Sequence, residues 1–236
     1  MRLAALQSDI LRYIVESGYK PGDLLPTIQE LSQELGASVP KVRESMEIAR
    51  ALGLVDVKPG RGTQVNEYTF APAATLSALY AIGQDRESFE LLRLLRTAIE
   101  VSFWDEATQQ LNQTDCIGLR QLITSALERL GQQPIQVPVV EHRTFHLTIF
   151  KHIKNPFVTG ILEAFWEAYE AFGLHLYADL NYHRKVWKYH RQIVDAVERG
   201  DIEESRRLFV EHTGLIRHRE QSPPPPTRRR NFFDFE

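Results

Sequence analysis

One cysteine, Cys116, stands in 236 residues. That excludes an intrachain disulfide framework and suits a reducing compartment, so a cytoplasmic protein is expected. Excess positive charge is lacking as well, since the formal net charge is −3 at pH 7. Residues 1–66 hold as many Lys and Arg as Asp and Glu. A protein that coats polyanions through bulk charge is therefore excluded, and any nucleic-acid affinity has to come from where the cations sit and from dimerisation. Long apolar runs are absent. The stretch from Phe70 to Ile82 is too short, and too polar in places, to cross a bilayer, and nothing reads as a signal peptide, so no membrane partner is expected. Past residue 66 there is no strand-like alternation and no internal repeat.

What is present starts at residues 21–66, PGDLLPTIQELSQELGASVPKVRESMEIARALGLVDVKPGRGTQVN. Pro21-Gly22-Asp23 is a turn, with Pro fixing φ and Gly free to take a positive value. Thr27 followed by Glu30 is a capping box that opens a helix with Leu31 and Leu35 on one face. Gly36 stops it. Ser38 is placed to cap the next helix, and Pro40 is tolerated in its first turn. That helix buries Val42, Met46 and Ala49 at helical spacing and ends at Gly53. Leu54 to Val57 and Thr63 to Val65 then alternate as two short strands around Lys58-Pro59-Gly60-Arg61-Gly62. Helix, turn, helix and wing is an architecture that places one helix in the DNA major groove.

The segments PGDLLP, TIQELSQELGAS, KVRES, ARALGLV and GRGTQV resemble, in the right order, the GntR family of bacterial winged-helix transcription regulators. The resemblance implies a recognition helix over about residues 39–50, Arg43 on bases or phosphates, and Gly62 at a wing tip near the minor groove. The DNA-contacting set expected from this helix and wing is Val39, Lys41, Arg43, Arg50, Lys58, Arg61 and Gly62. Two basic positions of the family pattern differ: Ile28-Gln29 follow Thr27 where an arginine is usual, and Val39 stands where a basic residue follows the capping serine. Lys41 can replace some of that charge. A nonstandard operator is expected.

The rest of the chain reads as helix. Residues 3–17 form an opening amphipathic helix on a stripe of Leu3, Leu6, Ile10, Leu11 and Ile14. Residues 66–72 are a linker. Helices are expected over 73–82, 86–110, 113–131, 136–153, 156–178, 184–199 and 202–218, with breaks at Gly and Asn-Pro positions. The fold class is mostly α: an N-terminal winged helix-turn-helix over 1–68 and an all-α bundle over 73–219. Residues 221–236, with four prolines and Arg228-Arg229-Arg230, read as a disordered tail.

Four of eight histidines lie on apolar helix stripes. His142 and His146 are one turn apart on one face. His190 shares a stripe with Val186, Ile193 and Val197, and His212 with Leu208, Phe209 and Leu215. The last two helices meet at Gly200-Asp201, where Asp201 and Glu204 offer a capping box. His190 and His212 lie about 15–18 Å from that turn at about 1.5 Å per residue, so they should face each other. A third helix carrying His142 and His146 completes a four-nitrogen cluster. Grouped neutral imidazoles suit Zn, Ni, Cu or Fe.

LRLLRTAIE (92–100), VEHRTFHLTIF (140–150) and YHRQIVDAVERGDIEESRRLFVEH (189–212) resemble the FCD ligand-binding domain of the FadR-type GntR subfamily. In that subfamily an Asp-x-x-x-His pair and two later histidines bind a divalent metal that helps to hold a carboxylate-bearing metabolite. The resemblance implies a metal site at His146, His190 and His212, with His142 where the family has Asp. Losing that hard oxygen shifts the expected metal toward Zn or Ni. Protonated His142 would instead allow a metal-free anion site, and direct metal sensing is a third option. Arg96, in an Arg-x-x-x-Glu pattern with Glu100, either reaches the effector cavity or forms a surface i,i+4 pair; Arg93 is the alternative arginine. Tyr182 and His183 fall in a polar connection that can touch an effector. Trp104, Phe165, Trp166, Tyr169 and Phe172 read as core.

The function these readings converge on is a homodimeric DNA-binding regulator that reads a pseudo-palindrome and senses a small organic or sugar acid. A metal-dependent enzyme fused to a DNA-binding head is disfavoured. Four histidines fill a tetrahedral zinc shell, and no paired carboxylate or nucleophile motif stands beside them.

Overall fold

A computed structural model describes residue 6, residues 8–172 and residues 180–215. The head opens with α1 (Asp9–Glu16), capped by Ser8, whose hydroxyl accepts from Leu11 N–H at 3.5 Å. Of the expected 3–17 helix, residues 1–5 and 7 lie outside the described residues. The capping box forms at α2 (Ile28–Glu34): Glu30 N–H donates to Thr27 Oγ1 at 3.3 Å, and Thr27 N–H donates to Glu30 Oε2 at 2.7 Å. Ser38, by contrast, makes no side-chain cap bond to α3 (Val39–Ala51). Pro40 occupies the second helical position and has no N–H, which removes one of the two donors such a cap serves.

Gly53 ends α3 with φ +72°, a conformation L side chains rarely adopt. Leu54 N–H reaches Ala49 C=O and Gly53 N–H reaches Arg50 C=O, both at 2.9 Å, so the free carbonyls of the last turn are satisfied by a Schellman motif. The wing follows as antiparallel β1 (Val55–Lys58) and β2 (Gly62–Val65), in register from Val55↔Val65 to Lys58↔Gly62. Segment 22–25 lines the open edge of β2 through Gly22 N–H to Val65 C=O and Leu25 N–H to Thr63 C=O. Ile10, Leu31, Val42, Met46, Ala49, Val55 and Val65 pack into one core beneath the helices and wing.

Helix α4 (Ala71–Gln84) begins two residues earlier than the expected 73 and lies along α9 (Pro156–Ala171). The two approach closely at Gly160, where an added Cβ would sit 2.7 Å from Ala71 N. The expected 86–110 helix is two helices, α5 (Glu87–Ser102) and α6 (Trp104–Gln109), parted at Phe103. Tertiary packing explains the break. Trp104 is fully buried, stacks on Phe209 with centroids 4.1 Å apart, and donates its indole N–H to Ser205 Oγ at 2.9 Å.

Then come α7 (Gln113–Leu130), α8 (Val139–Ile149), α10 (Leu180–Glu198) and α11 (Ile202–Gly214). Pro138 delays the start of α8 relative to the expected 136. The end of the expected 156–178 helix and the C-terminal tail, with Arg228–Arg230, lie outside the described residues. At the α10–α11 turn only half of the expected capping box forms. Asp201 accepts from Glu204 N–H at 3.1 Å, but the Glu204 carboxylate is taken by Arg207. The bundle core gathers Trp104, Leu119, Ile123, Phe145, Phe150, Trp187, Ile193 and Phe209. Helix α5 turns its charged stripe inward: Arg93, Arg96 and Glu100 are buried while Leu91, Leu94 and Leu95 are exposed.

Candidate functional sites

The first site is the outer face of α3 and the wing. Lys41, Arg43 and Arg50 are exposed on α3, Val39 is half-buried in its first turn, and Arg61 and Gly62 are exposed at the wing tip. Three of the expected cations have acidic neighbours. Arg50 pairs with Glu47 at 2.6 Å, Lys58 with Asp56 at 2.7 Å, and Lys41 with Asp9 at 3.2 Å. Arg43 and Arg61 have no ion pair to another described residue. Their charge is offset least, so the field of this face centres on them. Lys58 and Arg50 hold the Asp56 carboxyl below its usual range, chiefly through the Lys58 hydrogen bond.

The second site lies inside the bundle. The structure brings His142, His146, His190 and His212 together, with one ring nitrogen of each within 4.8 Å of the others. His190 Nε2 is 3.2 Å from His212 Nε2, and His212 Nε2 is 3.4 Å from His146 Nε2. Helices α8, α10 and α11 supply these three atoms, and the α10–α11 hairpin sets two of them at one height. His142 is half-buried, its ring 5.1 Å from those of both His146 and His190. Phe145 stacks on His190 at 4.1 Å, and Trp166 lies 4.8 Å from His142.

Spacing of this kind fits a metal. A tetrahedral ion with metal–nitrogen distances of about 2.0–2.1 Å separates its ligand nitrogens by about 3.3–3.4 Å. Burial keeps the rings of His146, His190 and His212 neutral, as ligands must be. His146 and His190 are pushed well below the usual histidine range by burial first, with Arg96 and the neighbouring histidines, which disfavour a further proton, adding to it, and His212 is pushed down to about 3 by burial and Arg96. His190 Nδ1 and His212 Nδ1 have no hydrogen-bond partner among the described residues.

Arg96 belongs to this site, and its pair with Glu100 corrects the surface reading. Arg96 is 1 % and Glu100 0 % exposed, with Arg96 Nε 2.7 Å from Glu100 Oε2. The i,i+4 pair forms, and it forms in the core instead of on the surface. Arg96 Nη2 also lies 2.8 Å from His146 Nδ1, and Glu100 Oε1 lies 3.3 Å from the same atom. The guanidinium carbon sits 4.8 Å from the Phe165 ring and 5.3 Å from that of Trp166. Burial raises Glu100 to about 7 against the opposing pull of Arg96, and it lowers Arg96.

Sequence reasoning did not find Glu100 as a partner of His146, although its spacing from Arg96 had marked it as part of a pair. Trp166, read as core, is both core and wall of the histidine cluster, whereas Trp104 belongs to the main bundle core. Arg93 is buried and held by Glu90, its Nε 2.7 Å from Oε2. Tyr182 and His183 are not in a loop. They lie in the first turn of α10, with His183 buried.

Comparison with known proteins follows the same division. Residues 4–65 match the model of the gntR family of bacterial regulatory proteins, and residues 90–215 match the FCD domain. The chain is 27 % identical over 211 residues to the Uxu operon regulator of Haemophilus influenzae, covering 86 % of this chain and 76 % of that protein. It is 25 % identical over 204 residues to the HTH-type transcriptional regulator LutR of Bacillus subtilis, covering 82 % and 89 %. A Streptococcus agalactiae GntR structure superposes with a TM-score of 0.65 at 18 % identity, covering 90 % of this chain and 98 % of that one, and so shares the fold. No described helix is long and apolar enough to cross a membrane. The families and relatives are transcriptional regulators and not enzymes. The chain belongs to the GntR regulators that carry an FCD domain, and it is a DNA-binding transcription regulator.

Proposed function

We propose that the helical domain holds one divalent ion on His142, His146, His190 and His212, zinc or nickel before manganese or magnesium, and beside it a small organic or sugar acid received by Arg96. The observation that carries this reading is the spacing of the three Nε2 atoms, 3.2 and 3.4 Å, which matches the edge of a tetrahedral nitrogen site. Four neutral imidazoles without a carboxylate favour borderline metals over hard ones. When bound, the ion adds positive charge beside a buried guanidinium, and an acid brings the compensating negative charge.

In this reading residues 1–68 are the DNA-binding head and 73–219 the sensing and dimerising domain. Val39, Lys41, Arg43, Arg50, Lys58, Arg61 and Gly62 face the operator. A near-neutral head binds DNA weakly alone, so two heads joined in a cytoplasmic homodimer read a pseudo-palindrome through effective concentration. The exposed Leu76, Tyr80, Leu91, Leu94 and Leu95 on α4 and α5 supply apolar surface for that pairing. Acid binding favours one dimer geometry and thereby changes operator affinity.

The test uses the full chain and a DNA site selected from random sequence. Fluorescence anisotropy is read with zinc, with chelator, and with a panel of hydroxy and sugar acids. At least one acid is expected to change the operator Kd by about 5–150-fold, and only in the zinc-loaded protein. Identical Kd values under every condition refute the sensing function.

A further inference from the structure

Three of the four histidines are fully buried, yet only one of those three is gripped from behind. His190 Nδ1 and His212 Nδ1 have no hydrogen-bond partner among the described residues. His146 Nδ1 has two candidate partners, Arg96 Nη2 at 2.8 Å and Glu100 Oε1 at 3.3 Å. The two make opposite demands. A guanidinium only donates, so it needs a bare Nδ1. An ionised carboxylate only accepts, so above about pH 7, where Glu100 is charged, it needs Nδ1–H. One atom cannot satisfy both.

We propose that Arg96 and Glu100 compete for His146 Nδ1, and that metal loading hands this hydrogen bond from Arg96 to Glu100. The proposal rests on the metal-site reading above. In the geometry described, the shorter contact belongs to Arg96. A bare Nδ1 leaves the single ring proton on Nε2, the atom that points at His212 Nε2 from 3.4 Å. An Nε2 carrying a proton has no lone pair for a metal. For His146 to ligate, its proton must sit on Nδ1, where Arg96 cannot receive it and Glu100 can. The exchange moves one proton across the ring and changes no net charge.

Glu100 is then the positioning residue for His146, the role an outer carboxylate plays for a metal-bound imidazole. Arg96 is released without being lost. Its Nε stays 2.7 Å from Glu100 Oε2, and the Phe165 and Trp166 rings keep the guanidinium in place. The Nη2 hydrogens released from His146 Nδ1 are then available to a carboxylate. Metal and acid therefore bind with positive coupling, each favouring the same arrangement of Arg96.

The experiment is a zinc titration of the full chain labelled with 15N-histidine, reading the His146 tautomer by NMR, with zinc affinity measured by chelator competition for the protein and for Glu100→Gln. In the zinc-free protein His146 is expected to carry its proton on Nε2, and in the zinc-loaded protein on Nδ1. Glu100→Gln is expected to weaken zinc binding tenfold to a hundredfold. If that variant fails to fold, the tautomer readout on the unmutated chain decides alone. Nδ1–H already present without zinc, or unchanged zinc affinity in folded Glu100→Gln, overturns the handover while leaving the metal site standing. No zinc uptake at all overturns both.

Discussion

Stripped of metal, the helical domain should lose stability steeply as the pH falls below 6. The perturbation is acidification from pH 6 to pH 5. His146, His190 and His212 all have folded-state pKa values driven down by burial. In the unfolded chain they titrate near 6.5. A group whose folded pKa is depressed binds protons mainly when unfolded, so its contribution to stability is lost as the pH falls through this window. Each histidine should cost a little over about 1 kcal/mol across that unit. Glu100 works the other way: its carboxyl, raised to about 7, holds a proton in the fold between about 4.5 and 7 and so stabilises on acidification. Its offset is about 1 kcal/mol, which leaves a net loss of about 2–3 kcal/mol. Against a total of about 5–15 kcal/mol this is a large fraction. Urea unfolding followed by tryptophan fluorescence reports it, since Trp104, Trp166 and Trp187 all lie in the helical domain. A urea midpoint that is the same at pH 6 and pH 5 would refute the assignment of three neutral buried histidines.

Further outcomes are expected. Arg43→Ala should weaken specific operator binding by about 1–3 kcal/mol if the guanidinium reaches a base edge. If it meets only phosphate, binding should fall for all sequences and the salt slope should flatten by about one; anisotropy at several salt concentrations separates the two, and unchanged binding at low salt removes α3 as the recognition helix. Gly160→Ala should destabilise by about 1–3 kcal/mol, because the new Cβ would meet Ala71 N at 2.7 Å and Phe70 Cβ at 2.8 Å; a thermal melt checks it. Zinc at a hundred times its Kd should add about 2.7 kcal/mol to the native state, so chelator should lower the melting temperature of the helical domain by about 5–10 °C.

Local chemistry made the head legible. A capping box at Thr27–Glu30 and a stop at Gly53 are decided by neighbours within a few residues, and both form. The meeting of His190 and His212 was also legible, because a short turn between two helices fixes the height of every residue along them. Elsewhere tertiary packing won. Nothing local marks Phe103 as a break; the burial of Trp104 against Phe209 and Ser205 makes it one. Ser38 carries the right residue type for a cap, but the proline two positions later removes a donor. The inward stripe of α5 was hidden for a stronger reason. Arg93, Arg96 and Glu100 share a helical face, and hydropathy assigns such a face to solvent. Here the leucines beside them are the exposed ones. An Arg-x-x-x-Glu pair looks the same in sequence whether it lies on a surface or behind a histidine cluster, and only tertiary packing puts Glu100 beside His146.

The central claim is that four histidines from three helices form one metal site. Equilibrium dialysis of the full chain against zinc, nickel and manganese, beside His142→Asp and the His190→Ala/His212→Ala double variant, tests it most directly. The unmutated chain is expected to take up one zinc or nickel ion per chain and to discriminate against manganese. His142→Asp should keep a site and shift it toward manganese, and the double variant should keep none. Absence of uptake by the folded protein, or equal uptake by the double variant, contradicts the claim.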